Sequence, residues 1–215
     1  MEPHESPAET PHTRKSFLLW GVALEGGLIL VAWGIEWLFP GKPALPTVRQ
    51  QLQDFPVGAV LGGIIAGVGM VPLAMGIERS RWSEFRRITQ ILRDLLGGIL
   101  PLMTWWELLL IGGLAGLGEE VLFRGVLEPR VGWIGSNVLF GLLHPITVVY
   151  VLLVIIAGMV FSGLKWCLGS LWGPILAHGL YDFVLLVILA RRYRAEREWT
   201  GWKPPIEGNS EGASC

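Results

Sequence analysis

A chain of 215 residues that is 52% hydrophobic and 16% charged, with 11 Trp and 29 Gly, is neither a disordered protein nor an ordinary soluble domain. A formal net charge of −1 gives no basic balance that would point to nucleic acid. Its two cysteines, Cys167 and Cys215, stand far apart without metal spacing, so no disulfide framework is expected.

Several near-chargeless runs reach about 20 residues, enough to cross ~30 Å of hydrocarbon. The expected class is therefore all-α: a polytopic membrane helix bundle of about six transmembrane helices, with one amphipathic helix at the interface. Residues 1–16 read as a flexible polar tail without a signal-peptide pattern, and His4 and His12 as solvated side chains within it. Phe17–Phe39 is the first candidate span, interrupted by Glu36 near its end and by the deeper Glu25, which needs a basic partner or a wet cavity. Gly41–Pro56 is a polar linker. Val57–Ile77 is a second, uncharged span, with Gly58-x-x-x-Gly62 and Gly63-x-x-x-Gly67 spaced for close helix packing. Pro72 is a candidate kink.

From Glu78 to Leu96 the chain carries five arginines, while Trp82, Phe85, Ile88, Leu92, Leu95 and Ile99 recur at spacings of three and four. That is the pattern of a helix lying on a membrane surface. These N-terminal elements occupy residues 17–104, and a core follows over 105–190. Its spans are expected from Leu108 through the Glu119–Glu120 pair, then Val131–His144, Ile146–Leu164 and Leu171–Ala190. The fourth is short for a full crossing, and residues 191–215 read as a polar tail. Twelve Lys and Arg fall on the side holding both termini and five on the other, which predicts cytoplasmic termini in a plasma or inner membrane.

Within the core, Glu119, Glu120 and Arg124 stand at the end of the apolar run LLLIGGLAGLG. Each charge at bilayer depth costs roughly 2.5–3.5 kcal/mol, so the cluster needs partners. Glu120 and Arg124, four apart with the acid first, can pair along one helical face. Glu119 then points about 100° away. Phe140 and His144 share a face, as do His178 and Asp182. At ~1.5 Å per residue, Glu119, His144 and His178 all fall in the middle third of the bilayer.

Carboxylate and neutral imidazole can share a water and take its proton, making a nucleophile for a carbonyl, while a second donor pair holds the oxyanion. Glu119, His144, His178 and Asp182 are equally ligand types for zinc, which would acidify the same water. Residue types alone leave both mechanisms open. Gly-x-Ser-x-Gly and His-Glu-x-x-His are absent from the sequence, which leaves no support for a serine elbow and excludes a zincin of that type.

At these positions the chain resembles the CAAX-protease and bacteriocin-processing family of intramembrane proteases, also called CPBP or ABI. Glu119, Glu120 and Arg124 match its Glu-Glu-x-x-x-Arg motif, Phe140 and His144 its Phe-x-x-x-His motif, and His178 and Asp182 its His-x-x-x-Asn/Asp motif. The resemblance covers roughly residues 105–190 and implies hydrolysis of a peptide bond in a membrane-associated peptide or protein. In the family's glutamic-type description the position of Glu119 activates water with that of His144, those of His178 and Asp182 form the oxyanion hole, and Glu120 and Arg124 support them without a cofactor. Older descriptions assign a metal. Where eukaryotic CAAX enzymes carry asparagine this chain has Asp182, which must be protonated, orient His178, or bind metal. Two rival readings use the same residues: a non-enzymatic membrane regulator or immunity protein, and a proton-coupled transporter, which the lack of an evident internal repeat disfavours.

Overall fold

The computed structural model describes residues 13–39, 48–53 and 56–200. Residues 1–12 of the expected N-terminal tail, with His4 and His12, much of the linker and residues 201–215 lie outside them, whereas the last four residues of that tail are not flexible coil but the first turn of a helix. Among the described residues the chain is helical and contains no strand. Four helices are long and apolar enough to cross a membrane: α1 (Thr13–Leu38), α3 (Val57–Glu78), α7 (Val148–Leu168) and α8 (Trp172–Thr200). The other two of the expected six, α5 (Trp105–Glu120) and α6 (Glu128–Leu142), have 16 and 15 residues. They carry the motif residues Glu119, Glu120 and Phe140. Short α2 (Val48–Gln53) falls in the linker.

Arginines and an apolar stripe on one helix do produce an amphipathic element, α4 (Ser83–Leu96), with Ile88 buried and Arg86 and Arg87 exposed. Its neighbour is the end of α8. The polar stretch from Arg191, expected as a tail, continues that helix to Thr200 because its cations find partners. Arg192 bonds to Glu78, Arg194 to the Pro101 carbonyl and Arg197 to the Gly97 and Gly98 carbonyls.

Helix α5 packs between α1 and α8. A capping box starts it: the Glu107 carboxylate accepts from the Thr104 N–H at 2.7 Å, and the Thr104 hydroxyl accepts from the Glu107 N–H. Arg14 donates to both oxygens of Glu107 at 2.9 and 2.8 Å, tying the start of α1 to the start of α5. The two then run in the same direction, Gly21 beside Ile111 and Gly118 beside Glu25. Helix α8 runs the opposite way along α5. A Cβ at Gly116 would stand 2.5 Å from the Gly179 nitrogen, so only bare backbone lets the helices come this close. Gly63 and Gly67 of α3 meet α8 equally closely, with virtual Cβ atoms 2.5 and 2.6 Å from the Gly173 and Ala177 carbonyl oxygens. Gly58, from the other small-residue pair, faces open space.

After Glu120 the helix widens into a π-helical segment, Val121–Leu127. An unbroken helix would then hold residues 13 apart ~20 Å from each other. Instead the Ser136 hydroxyl donates to the Phe123 carbonyl at 2.8 Å, and Arg124 Nη2 to Asn137 Oδ1 at 2.9 Å. The chain therefore reverses, and it does so at Gly132, whose φ of 81° and ψ of 164° suit glycine alone. The returning arm packs antiparallel to α7, Gly141 beside Ile155 and Asn137 beside Gly158. The short fourth span is thus a helical arm that ends at Leu142, with His144 just beyond it.

Candidate active site

The site forms where α5, the returning arm of α6 and α8 converge. Arg124 and Glu120 have fully buried side chains, and Arg124 Nη1 donates to Glu120 Oε1 at 3.0 Å. The same oxygen accepts from His178 Nδ1 at 2.8 Å. A guanidinium only donates, so Glu120 Oε1 is the acceptor in both contacts and His178 carries its proton on Nδ1. Phe161 stacks on the imidazole, ring centroids 4.7 Å apart and 13° from parallel. The guanidinium lies 4.3 Å from the ring of Phe140, a cation held against an aromatic face in a dry setting. Glu120 Oε2 and Arg124 Nε are buried without a hydrogen-bond partner among the described residues.

Glu119 faces the other way, as a rotation of about 100° requires. Its Oε1 is 3.8 Å from His144 Nε2 and its Oε2 3.7 Å from His178 Nε2. His144 Nδ1 is 2.8 Å from the Phe140 carbonyl, which can only accept. Its proton therefore sits on Nδ1, and Nε2 presents a lone pair toward Glu119. Asp182 Oδ2 lies 3.5 Å from His178 Nε2. All six residues singled out in the sequence, Glu119, Glu120, Arg124, His144, His178 and Asp182, meet in one cluster. Its exposure is lopsided: the His144 and Asp182 side chains are 30% and 28% exposed, those of Glu120 and Arg124 not at all. The cluster is therefore open on the His144–Asp182 side.

A zinc site would need three donors around one point, and among the described residues no group of three His, Cys, Asp or Glu side chains is placed to hold a metal ion. The chemistry below is accordingly written through the chain's own groups.

Three participants do not follow from motif spacing. Phe161 is one apolar residue among many in α7, and nothing in its sequence context marks it. Asn137 and Ser162 bond to each other at 2.9 Å behind Arg124. Glu25, a charge deep in an apolar run, does carry a signal. Its backbone oxygen abuts Gly118, its Oε2 is buried without a hydrogen-bond partner among the described residues, and it lies within electrostatic reach of Glu119, His178 and Asp182.

Fold and site together define an all-helical membrane protein with a buried cluster of carboxylates and imidazoles. Residues 101–184, which include all six of these side chains, match the family model described as type II CAAX prenyl endopeptidase Rce1-like. That match agrees with the resemblance carried by the three motifs. No curated protein and no solved structure matches the chain.

Proposed function

We propose that the protein is an intramembrane endopeptidase of the CAAX type, hydrolysing a peptide bond with a water activated by Glu119 and His144. The observation that carries this reading is the gap between Glu119 and the two imidazoles. At 3.7–3.8 Å these contacts are too long for direct hydrogen bonds, and a water between Glu119 and His144 can donate to both. The water oxygen attacks the carbonyl carbon while Glu119 takes one proton and His144 Nε2 accepts a hydrogen bond from the other. The oxygen of the tetrahedral intermediate is held by His178 Nε2–H. Collapse breaks the C–N bond, and the proton on Glu119 passes to the leaving amine.

This scheme fixes the role of Asp182. Nδ1–H of His178 is committed to Glu120, so a donor at Nε2 requires the doubly protonated ring. An aspartate beside Nε2 stabilises that imidazolium, and orienting His178 in this way is the role assigned here to Asp182. The substrate is a membrane-associated peptide or protein segment entering from the His144–Asp182 side.

The test is cleavage of a quenched-fluorescence peptide ending in a prenylated CAAX sequence, by purified protein in proteoliposomes, with and without chelator. Metal-free wild type cleaves, and Glu119→Gln loses about 10²- to 10⁴-fold in kcat while remaining folded. Chelator-sensitive cleavage restored by zinc would replace this scheme with a metal-dependent one. A folded Glu119→Gln protein with full biological effect would favour the non-enzymatic regulator.

A further inference from the structure

Pro129 has no N–H to give, and the Glu128 N–H goes to the Phe123 carbonyl through the wide spacing of the π segment. The Arg124 carbonyl thus needs a donor from outside its helix. Lys165 of α7 supplies it, with Nζ at 2.5 Å, and also reaches Glu128 Oε1 at 3.1 Å. Glu128 Oε2 accepts from the Ser162 hydroxyl at 2.6 Å. The Ser162 oxygen accepts in turn from Asn137 Nδ2 at 2.9 Å, and Asn137 Oδ1 from Arg124 Nη2 at 2.9 Å. These bonds close a ring that leaves Arg124 by its guanidinium and returns to it by its backbone. Each bond of the ring runs from a donor to an acceptor, so one arrangement of protons satisfies the ring's own bonds. The ring lies against bare backbone: a Cβ at Gly158 would stand 2.5 Å from Asn137 Oδ1 and 2.7 Å from Arg124 Nη2.

We propose that Asn137, Ser162, Glu128 and Lys165 are positioning residues of the site, holding Arg124 at both ends so that Glu120 fixes His178 through Nδ1. The effect on rate rests on the protease reading above; the effect on the imidazole does not. Arg124 meets Glu120 through Nη1 alone. With Nη2 released, the guanidinium can turn, and the oxygen that receives His178 loses its second donor. Lys165 and Glu128 complete the cluster electrically, two cations facing Glu120 and Glu128. A buried charge left without its partner is costly, which argues for a set kept together.

The experiment has two arms on the full-length protein in nanodiscs. In the first, Asn137→Leu is assayed on the prenylated CAAX peptide. The expected result is a kcat lowered roughly 100-fold, the scale of a slightly misplaced catalytic group, with KM within about twofold of wild type. In a Glu120→Gln background the same change adds no further loss, because both act through one imidazole. In the second arm, ¹⁵N-histidine NMR of wild type shows a hydrogen-bonded Nδ1–H on His178, and Asn137→Leu shifts and broadens that signal as its bond to Glu120 loosens. Should Asn137→Leu fail to fold, Ser162→Ala replaces it, with Ser162→Thr restoring both readouts. A folded variant with wild-type kcat and an unmoved His178 signal overturns the proposal, as do losses that multiply with Glu120→Gln. The NMR arm needs no substrate, so wild-type protein that cleaves nothing sinks the protease reading while the ring is still judged on its spectrum.

Discussion

Glu119 and Glu120 are neighbours in the chain, and they belong to two halves of the site built on opposite rules. On the Glu120 side, contacts are 2.5–3.1 Å long from His178 through Arg124 to Lys165, and the Arg124 and Glu120 side chains are fully enclosed. On the Glu119 side the carboxylate oxygens of Asp182 and Glu119 stand 3.5 and 3.7 Å from His178 Nε2, and His144 and Asp182 are part-exposed. A half held by short, buried bonds does not readily change partners during a reaction. The other half leaves room for a water and a carbonyl. The α-helical turn that separates adjacent residues by about 100° is what allows one Glu-Glu pair to serve both. Precision on one side is what makes looseness on the other usable, since a proton-accepting group works only if its surroundings hold it in place.

Mutations should divide along that line. The largest expected effect is on rate: Glu119→Gln lowers kcat about 10²- to 10⁴-fold, yet shifts unfolding by no more than about 1 kcal/mol, because its partners are loosely held. Denaturant titration in detergent beside the cleavage assay separates the two. Arg124→Leu should do the reverse on stability, costing about 3–5 kcal/mol by stranding the buried Glu120 charge. A near-neutral unfolding midpoint for that variant would erase the distinction between the halves. Gly158→Ala drives a methyl into the Asn137–Arg124 bond, and about 1–3 kcal/mol is expected, with activity falling in parallel. Smallest is Thr104→Ala, which removes the hydroxyl of the α5 capping box far from the chemistry. It should cost about 1 kcal/mol with kcat unchanged, read from thermal unfolding.

Much of the site is legible in the sequence because its motifs are local. A spacing of four on a helix fixes which side chains share a face, so the pairings Glu120–Arg124, Phe140–His144 and His178–Asp182 need no tertiary knowledge. Depth in a bilayer is nearly as local, and Glu119, His144 and His178 do meet. What stays hidden depends on register between helices. Lys165 reads as a topology charge, and only the π segment with Pro129 creates the carbonyl it satisfies. Glu25 stands out as a charge in an apolar run, but the face it turns to α5 is settled by the close approach at Gly118. The reversal at Gly132 explains the short fourth span: a backbone conformation suited to glycine turns the chain between two helical arms.

The central claim is that Glu119 and His144, from different segments of the chain, act on one water. A double-mutant cycle on kcat/KM, combining Glu119→Gln with His144→Ala, measures it most directly. If the two groups work as a unit, the double mutant is no slower than the worse single mutant, as expected for residues that share one step. Losses that multiply would mean that the two act independently, and the shared water would have to be abandoned.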